Sequence, residues 1–221
     1  MHRLQTRLSI VRHGQTDWNL ATRIQGRTDI PLNSTGRAQA AETGLRLLHR
    51  SRAGSAPSLD GGLTESAAGW EKIVSSPLDR AAETARIIAG ELGLPRPEII
   101  DDLTERHHGH IEGLTFAERQ RQFPNGMPVP GLESRQQVLD RVLPALGRVA
   151  EEFPGDAVLV VCHGGVIGTL IRYLTAGVRP HPDEIIANGS VHDFLWTDGR
   201  LELEHFDATI RGFAENTHYS G

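Results

Sequence analysis

Arg12, His13 and Gly14 follow a short apolar run, Leu8 to Val11, and are residue types that could attack a phosphate ester. A guanidinium binds an anion through paired hydrogen bonds, and its charge keeps a neighbouring imidazole deprotonated, as a nucleophile must be. Gly14 lacks a Cβ, so the backbone can turn sharply there or approach a ligand closely. A surface arginine followed by a turn-capping histidine is an equally good interpretation of these three residues alone.

A second histidine, His163, follows the strongest buried-strand pattern of the chain, Ala157 to Cys162, and precedes Gly164 and Gly165. Ligands in open α/β sheets bind beyond the carboxyl ends of the parallel strands. If the two apolar runs are strands of one parallel sheet, His13 and His163 face the same crevice.

Two further strand-to-loop transitions add a cation and an acid. Arg80 is predicted in the first turn of a helix, whose amino end attracts anions, so it is a candidate second phosphate clamp. Glu105 follows the third predicted strand and could protonate a leaving oxygen.

Taken together and in this order, the motifs resemble the histidine phosphatase superfamily, which also contains the cofactor-dependent phosphoglycerate mutases. The resemblance extends from about residue 8 to about residue 195. It is carried by Arg12-His13-Gly14, Asn19, Gly26-Arg27 with Asp29 to Leu32, Ser76 to Ala81, Leu103-Thr104-Glu105 and His163-Gly164-Gly165.

The resemblance implies that His13 is the phosphorylated nucleophile and Glu105 the proton donor. The phosphate pocket would be completed by Arg12, Arg80 and His163, the last as a protonated imidazole or as a donor tautomer. Further contacts to phosphate or substrate are predicted for Gln15, Asn19, Gly26, Arg27, Gly164 and His108. No metal and no other cofactor is expected, because the arginines supply the positive charge that a metal would otherwise bring.

Such a site could hydrolyse a phosphate ester, as a phosphatase does, or return the phosphoryl group to a sugar acid, as a mutase does. The stretch available to cover the site, Ile111 to Pro130, is shorter than the insertion associated with the mutase branch and has no paired adjacent arginines. Against this, Glu105 to Gly109 is similar to a mutase signature, with His108 where that branch carries an aromatic hydroxyl. We expect a phosphomonoesterase for small phosphorylated metabolites, with a phosphoglycerate mutase as the alternative.

Alternating strand and helix patterns predict an α/β fold, a three-layer αβα sandwich. Its mostly parallel central sheet would carry helices on both faces and a C-terminal hairpin or antiparallel edge strand. The 221 residues, 38% of them hydrophobic, suffice for one domain spanning residues 1–221. Within it, residues of about 101–133 would form the loop region on the substrate side.

Composition limits the partners. A net charge of −5 argues against nucleic acid or an anionic membrane, which would require a basic face. The single cysteine, Cys162, excludes an internal disulfide and is expected in the core. The polar start of the chain and the lack of a long apolar run predict a soluble, cytoplasmic protein whose partner is a small phosphate ester. A homodimer is left open.

Two rival interpretations remain besides the mutase. His107, His108 and His110 could hold a metal, although bunched loop histidines more often line a pocket or meet solvent. A metal-dependent phosphoesterase is the corresponding enzyme. A phosphate-binding protein without turnover would need the arginines but neither a nucleophile nor an acid.

Overall fold

The structure, a computed structural model, describes residues 5–54 and 69–210, with backbone only for residues 52–54. Eight strands lie within these ranges: β1 Gln5–Arg12, β2 Lys72–Ser75, β3 Glu98–Ile99, β4 Ala157–Cys162, β5 Glu184–Ile185, β6 Val191–Thr197, β7 Arg200–His205 and β8 Thr209–Ile210. Six of them form one sheet in the order β3-β2-β4-β1-β6-β7, while β5 and β8 pair separately. The pairs among β1, β2, β3 and β4 are parallel, and β6 and β7 add an antiparallel edge.

The helices are α1 Asp17–Leu20, α2 Ser34–Gly54, α3 Asp79–Leu92, α4 Phe116–Gln122, α5 Arg135–Glu152 and α6 Gly164–Leu174. Helices α2 and α3 pack on one another and α3 contacts β2 and β4, whereas α5 and α6 contact β1. The sheet is therefore covered on both faces, which confirms the predicted three-layer α/β fold.

Side chains of successive strand residues point to opposite faces, so each central strand serves two cores. Ile10 of β1 packs with the α5 and α6 side, and the next residue, Val11, packs with the α3 side. Strand β4 is buried along its whole length, which explains its continuous apolar run. Cys162 is 1% exposed and belongs to the α5 and α6 core, as predicted.

Two helix ends lie where the sequence predicts them, at a glycine that can end a helix and at a serine that can cap one. Helix α3 ends before Gly93, which adopts φ 69° in the left-handed region. Helix α5 begins after Ser134, whose side chain accepts a hydrogen bond from Gln137 N in a capping box.

Other boundaries differ from the prediction. Helix α1 was not predicted, because it is a single turn held by a capping box between Thr16 and Asn19. The apolar pattern predicts a helix from Val166 to Leu174, but α6 begins at Gly164, since His163 is its N-cap. The stretch from Arg52 to Gly69 is rich in Gly, Ser and Ala, which predicts a surface loop. Helix α2 instead continues through Gly54, and residues 55–68 lie outside the described ranges.

The segment after β3 is mostly irregular, as expected. It contains 3-10 turns at Asp101–Leu103 and Gly109–Ile111 and the short helix α4. In the described part of the chain, no helix is long and apolar enough to cross a membrane.

Candidate active site

The pairing of β1 with β4 brings the two histidines together. Arg12 lies opposite Cys162 in the parallel register, and the backbone N–H of His13 donates to the carbonyl of Cys162 at 3.0 Å. The imidazoles that follow these strands have ring centroids 5.2 Å apart and planes tilted by 58°. The predicted shared crevice at the carboxyl edge of the sheet is therefore present.

His13 has a defined tautomer. Its Nδ1 lies 2.7 Å from the carbonyl oxygen of Gly14, which can only accept, so Nδ1 carries the hydrogen and Nε2 keeps a lone pair. Burial, and then the charges of Arg12 and Arg80, lower the pKa of His13 well below its usual value. The ring is neutral and has a nucleophilic nitrogen.

His163 is also buried and neutral. Burial is the largest cause that lowers its pKa, followed by the charge of Arg80. The protonated form is therefore disfavoured, which leaves a neutral donor tautomer as the way for His163 to hold an oxygen. Its Nε2 lies 2.7 Å from Oγ of Ser76.

The two arginines are held by main-chain carbonyls. Arg80 is 0% exposed and donates to the carbonyls of Gly26 at 2.7 Å and Thr28 at 3.1 Å. Arg12 donates from Nη1 to the carbonyl of Ile186. Burial lowers the pKa of Arg12 to about 10, so the guanidinium stays charged at neutral pH.

Unsatisfied hydrogen-bond donors concentrate around these groups. Five buried side-chain polar atoms lack a hydrogen-bond partner within residues 5–54 and 69–210. Four of the five are nitrogens of this site, namely Arg12 Nε, Gln25 Nε2, Arg80 Nε and His163 Nδ1. Buried donors in native proteins are normally paired, so this arrangement favours an anionic ligand that accepts from several sides.

Glu105 supplies the acid. It is 5% exposed, and its carboxyl oxygens accept from the backbone N–H groups of Arg106 at 2.7 Å and Gly165 at 3.1 Å. Burial raises the pKa of Glu105 although these bonds and the two arginines oppose the shift. The proton-bearing form needed for general-acid catalysis is therefore favoured relative to an exposed glutamate.

Arg12, His13 and Glu105 open onto a cleft of about 390 Å³, whereas Arg80 and His163 are fully buried and do not line it. Its lining includes six of the predicted residues, Arg12, His13, Asn19, Glu105, His108 and Gly164. A Cβ at Gly164 would lie 3.2 Å from Arg12 Nε, so glycine keeps the approach to that guanidinium open. Burial lowers the pKa of His108 to about 4, which makes it a neutral wall of the cleft.

Three predicted contact residues have other surroundings. Gln15 does not line the cleft, because its Oε1 accepts from Asn33 Nδ2 at 3.1 Å. The Arg27 side chain is 47% exposed and reaches Glu133 and the carbonyl of Glu105 instead. Gly26 contributes its carbonyl to Arg80, and a Cβ there would overlap the Glu112 carboxylate.

One candidate residue, Gln25, was missed. Gln25 lines the cleft with its buried Nε2, while its Oε1 accepts from Thr16 Oγ1 at 2.9 Å. Its position directly before Gly26 was the available signal. Asn188 donates from Nδ2 to the carbonyl of His13 at 2.9 Å and to Oδ1 of Asn19 at 3.2 Å. Because Oδ1 of Asn19 accepts this bond, the side-chain group of Asn19 that can donate to a ligand is its Nδ2.

The clustered histidines of the loop do not form a metal-binding group in the structure. Among the described residues, no three His, Cys, Asp or Glu side chains are placed so that they could hold a metal ion. The ring of His107 lies 3.8 Å from Glu112, whereas His110 is exposed.

Known proteins are similar to this chain in sequence and in fold. The chain is 33% identical over 216 residues to "Uncharacterized phosphatase PhoE" of Bacillus subtilis, covering 98% of each chain. It is 34% identical over 201 residues to "Phosphoglycerate mutase-like protein 4" of Arabidopsis thaliana, covering 86% of this chain and 79% of that one. A solved mycobacterial glucosyl-3-phosphoglycerate phosphatase, in complex with VO3, superposes with a TM-score of 0.71 at 28% identity, covering 94% and 100% of the two chains.

A family model described as histidine phosphatase superfamily (branch 1) matches residues 8–54 and 62–209. The matched ranges include both histidines, both arginines and Glu105, so the family resemblance and the geometry concern the same residues. The protein belongs to branch 1 of the histidine phosphatase superfamily.

Proposed function

We propose that the protein is a phosphomonoesterase that hydrolyses small phosphorylated metabolites through a phosphohistidine on His13. The observation that carries the proposal is a group of buried nitrogens that lack partners among the described residues, in the same site as a neutral imidazole whose Nε2 keeps its lone pair. A phosphoryl group at this position would satisfy the donors while it meets the nucleophile.

In the first step, Nε2 of His13 attacks phosphorus in line with the departing oxygen. Arg12 and Arg80 hold the equatorial oxygens, whose charge is large in the transition state. The P–O bond to the alcohol breaks, and the leaving oxygen takes the proton of Glu105, whose raised pKa keeps that proton available. The products are phosphohistidine, the free alcohol and the Glu105 carboxylate.

In the second step, water attacks the phosphohistidine. The Glu105 carboxylate takes a proton from this water while the P–N bond breaks, and the electron pair returns to Nε2 of His13. Inorganic phosphate leaves, and both side chains regain their starting protonation states. No step in this scheme uses a metal.

Phosphate release from a panel of phosphomonoesters tests this function. We expect release by the wild-type protein, loss of activity in His13→Ala, and no effect of prolonged treatment with a chelator. His110→Ala is the matched control, because this histidine is exposed and outside the cleft lining. Activity that survives in His13→Ala, or that a chelator abolishes, contradicts the proposal.

A mutase is the second candidate, since one relative is named as mutase-like. Phosphorus NMR with either phosphoglycerate isomer and a bisphosphoglycerate primer separates the two activities. We expect inorganic phosphate to accumulate. Interconversion of the isomers without phosphate release would assign the mutase instead.

A further inference from the structure

The two ring nitrogens of His163 have different surroundings. Nε2 lies 2.7 Å from Oγ of Ser76, and both side chains are 0% exposed. Nδ1 has no hydrogen-bond partner in the part of the chain that the structure describes. A neutral imidazole carries one N–H, so the direction of the bond to Ser76 decides which nitrogen holds it.

The other contact of Ser76 fixes that direction. Its Oγ accepts a hydrogen bond from the backbone N–H of Leu78 at 3.4 Å. A buried hydroxyl must also place its own hydrogen, and Nε2 of His163 is the acceptor that the described residues offer to it. The hydroxyl therefore donates to Nε2, and the ring proton lies on Nδ1.

We propose that Ser76 is a positioning residue that fixes His163 as the Nδ1–H tautomer, so that this ring donates to an oxygen of the phosphoryl group. The use of the N–H depends on the proposed phosphatase function. In the opposite tautomer, Nδ1 would present a lone pair to the phosphoryl oxygens and repel them.

The assignment makes the neighbouring strand ends complementary. The Nδ1–H of His13 donates to the carbonyl of Gly14, so the lone pair of Nε2 is available to a ligand. His163 receives a hydrogen at Nε2 and offers the N–H of Nδ1. One ring is then the nucleophile and the other is a neutral donor, although burial keeps both uncharged.

The pairing of β2 with β4 holds Ser76 beside His163. Ser76 directly follows β2, which pairs in parallel with β4, and its backbone N–H donates to the carbonyl of Val161 at 3.0 Å. Its neighbour Ser75 is equally buried, but Oγ of Ser75 donates to the carbonyl of Ser76 and not to His163. Ser75→Ala is therefore a matched control for Ser76→Ala.

Nitrogen NMR of the protein with labelled histidine reads the tautomer directly. The signals of His163 are assigned by their absence in His163→Asn. In the wild type we expect a proton-bearing Nδ1 and an unprotonated Nε2. In Ser76→Ala we expect the proton to be shared between the two nitrogens, and in Ser75→Ala we expect the wild-type pattern.

Competitive inhibition by inorganic phosphate measures how the tautomer of His163 affects phosphate binding. We expect Ser76→Ala to weaken phosphate binding about ten- to hundredfold, because a buried donor is then misplaced, and Ser75→Ala to change it less than about twofold. An altered tautomer with unchanged phosphate binding would contradict the link between the two.

The proposal is overturned if the wild type holds its proton on Nε2, or if Ser76→Ala keeps it on Nδ1 alone. The wild-type spectrum decides even if Ser76→Ala does not fold. A wild type with the predicted tautomer that hydrolyses no ester would refute the proposed phosphatase function while the tautomer assignment stands.

Discussion

Burial acts in opposite directions on the two kinds of titratable group in the cleft. It lowers the pKa of the His13 imidazole and raises the pKa of the Glu105 carboxyl, so both are driven towards their neutral forms. Neutral imidazole is the nucleophile and neutral carboxyl is the acid. A single physical cause therefore prepares both partners of the first step.

Glu105→Gln should slow the phosphorylation of His13 selectively for poor leaving groups. An alkyl phosphate needs a proton on its leaving oxygen, so we expect a loss of about 10²- to 10⁴-fold. The p-nitrophenolate ion leaves without a proton, so its release in the first turnover should change far less. Stopped-flow and rapid-quench measurements compare the two esters, and equal losses would contradict the role of Glu105.

The pH profile of the alkyl ester should show the same acid. We expect kcat to fall as pH rises through the pKa of Glu105, which burial places above the ordinary value of 4.5. This alkaline limb should be absent from the residual rate of Glu105→Gln. A limb that persists in the variant would assign it to another group.

Two glutamines test the revised phosphate contacts. Gln25→Ala should lower kcat/KM and weaken inhibition by inorganic phosphate about tenfold, because a buried donor of the cleft is lost. Gln15→Ala is the control and should change both less than about twofold, since its side chain binds Asn33. A larger effect of Gln15→Ala than of Gln25→Ala would support the contact that the sequence predicts for Gln15.

The sequence identified the groups that follow strands but not the direction of each side chain. His13, Arg80, Glu105 and His163 are brought together because parallel strands end at one edge. The choice between Gln15 and Gln25 depends on a loop whose course is set by distant contacts, such as that between Arg80 and the carbonyl of Gly26.

At the scale of elements, the turn after β1 is pressed against the start of α2. A Cβ on Gly14 would lie 2.2 Å from the carbonyl oxygen of Gly36, and a Cβ on Gly36 would lie 2.1 Å from that of Gln15. Backbone atoms cannot yield as a flexible side chain can. This close approach requires glycine and fixes the direction in which the chain leaves His13.

Gly14→Ala should therefore lower the free energy of unfolding by about 3 kcal/mol or more. Gly90→Ala is the control, because nothing lies within 4 Å of its Cβ position in α3. Alanine there should raise the free energy of unfolding by about 0.5 to 1 kcal/mol. Urea unfolding measures both, and similar shifts in the two variants would show that the contact with Gly36 is relaxed at little cost.

Elements with local signals were predictable, and those that depend on packing were not. The N-cap of α5 and the glycine after α3 can be identified from neighbouring residues. The position of β1 between β4 and β6 depends on pairing across more than a hundred residues. Strand β3 has only two residues because the chain turns into a 3-10 helix after Ile100.

At the scale of the whole molecule, several imidazoles are stored in the neutral form. His192 is 0% exposed and accepts a hydrogen bond at Nδ1 from Asp207 N. Burial lowers its pKa from 6.5 to about 4. Burial has the same effect on His13, His108 and His163.

Stability should therefore fall on acidification. Below pH 6.5 His192 binds a proton in the unfolded chain but not in the folded chain. Its contribution to the free energy of unfolding is therefore complete above pH 6.5 and is lost as pH falls towards 4. For this group alone the loss amounts to about 3 kcal/mol. Urea unfolding between these pH values should show a shallower slope in His192→Asn, and an unchanged slope would contradict the assignment.

The predicted layers of the molecule are confirmed because they follow from the alternation of strand and helix patterns along the chain. In β1, Ile10 and Val11 face different cores, which only a sheet covered on both sides can accommodate. The chemistry of the leaving alcohol does not follow from such patterns, since the cleft walls away from the histidines come from several loops.

Rapid-quench labelling tests the central claim most directly. A phosphomonoester with radioactive phosphorus, quenched within one turnover, should leave an acid-labile, base-stable label on His13, identified by peptide mapping, and none in His13→Ala. Turnover without such a label, or a label on another residue, would contradict the account.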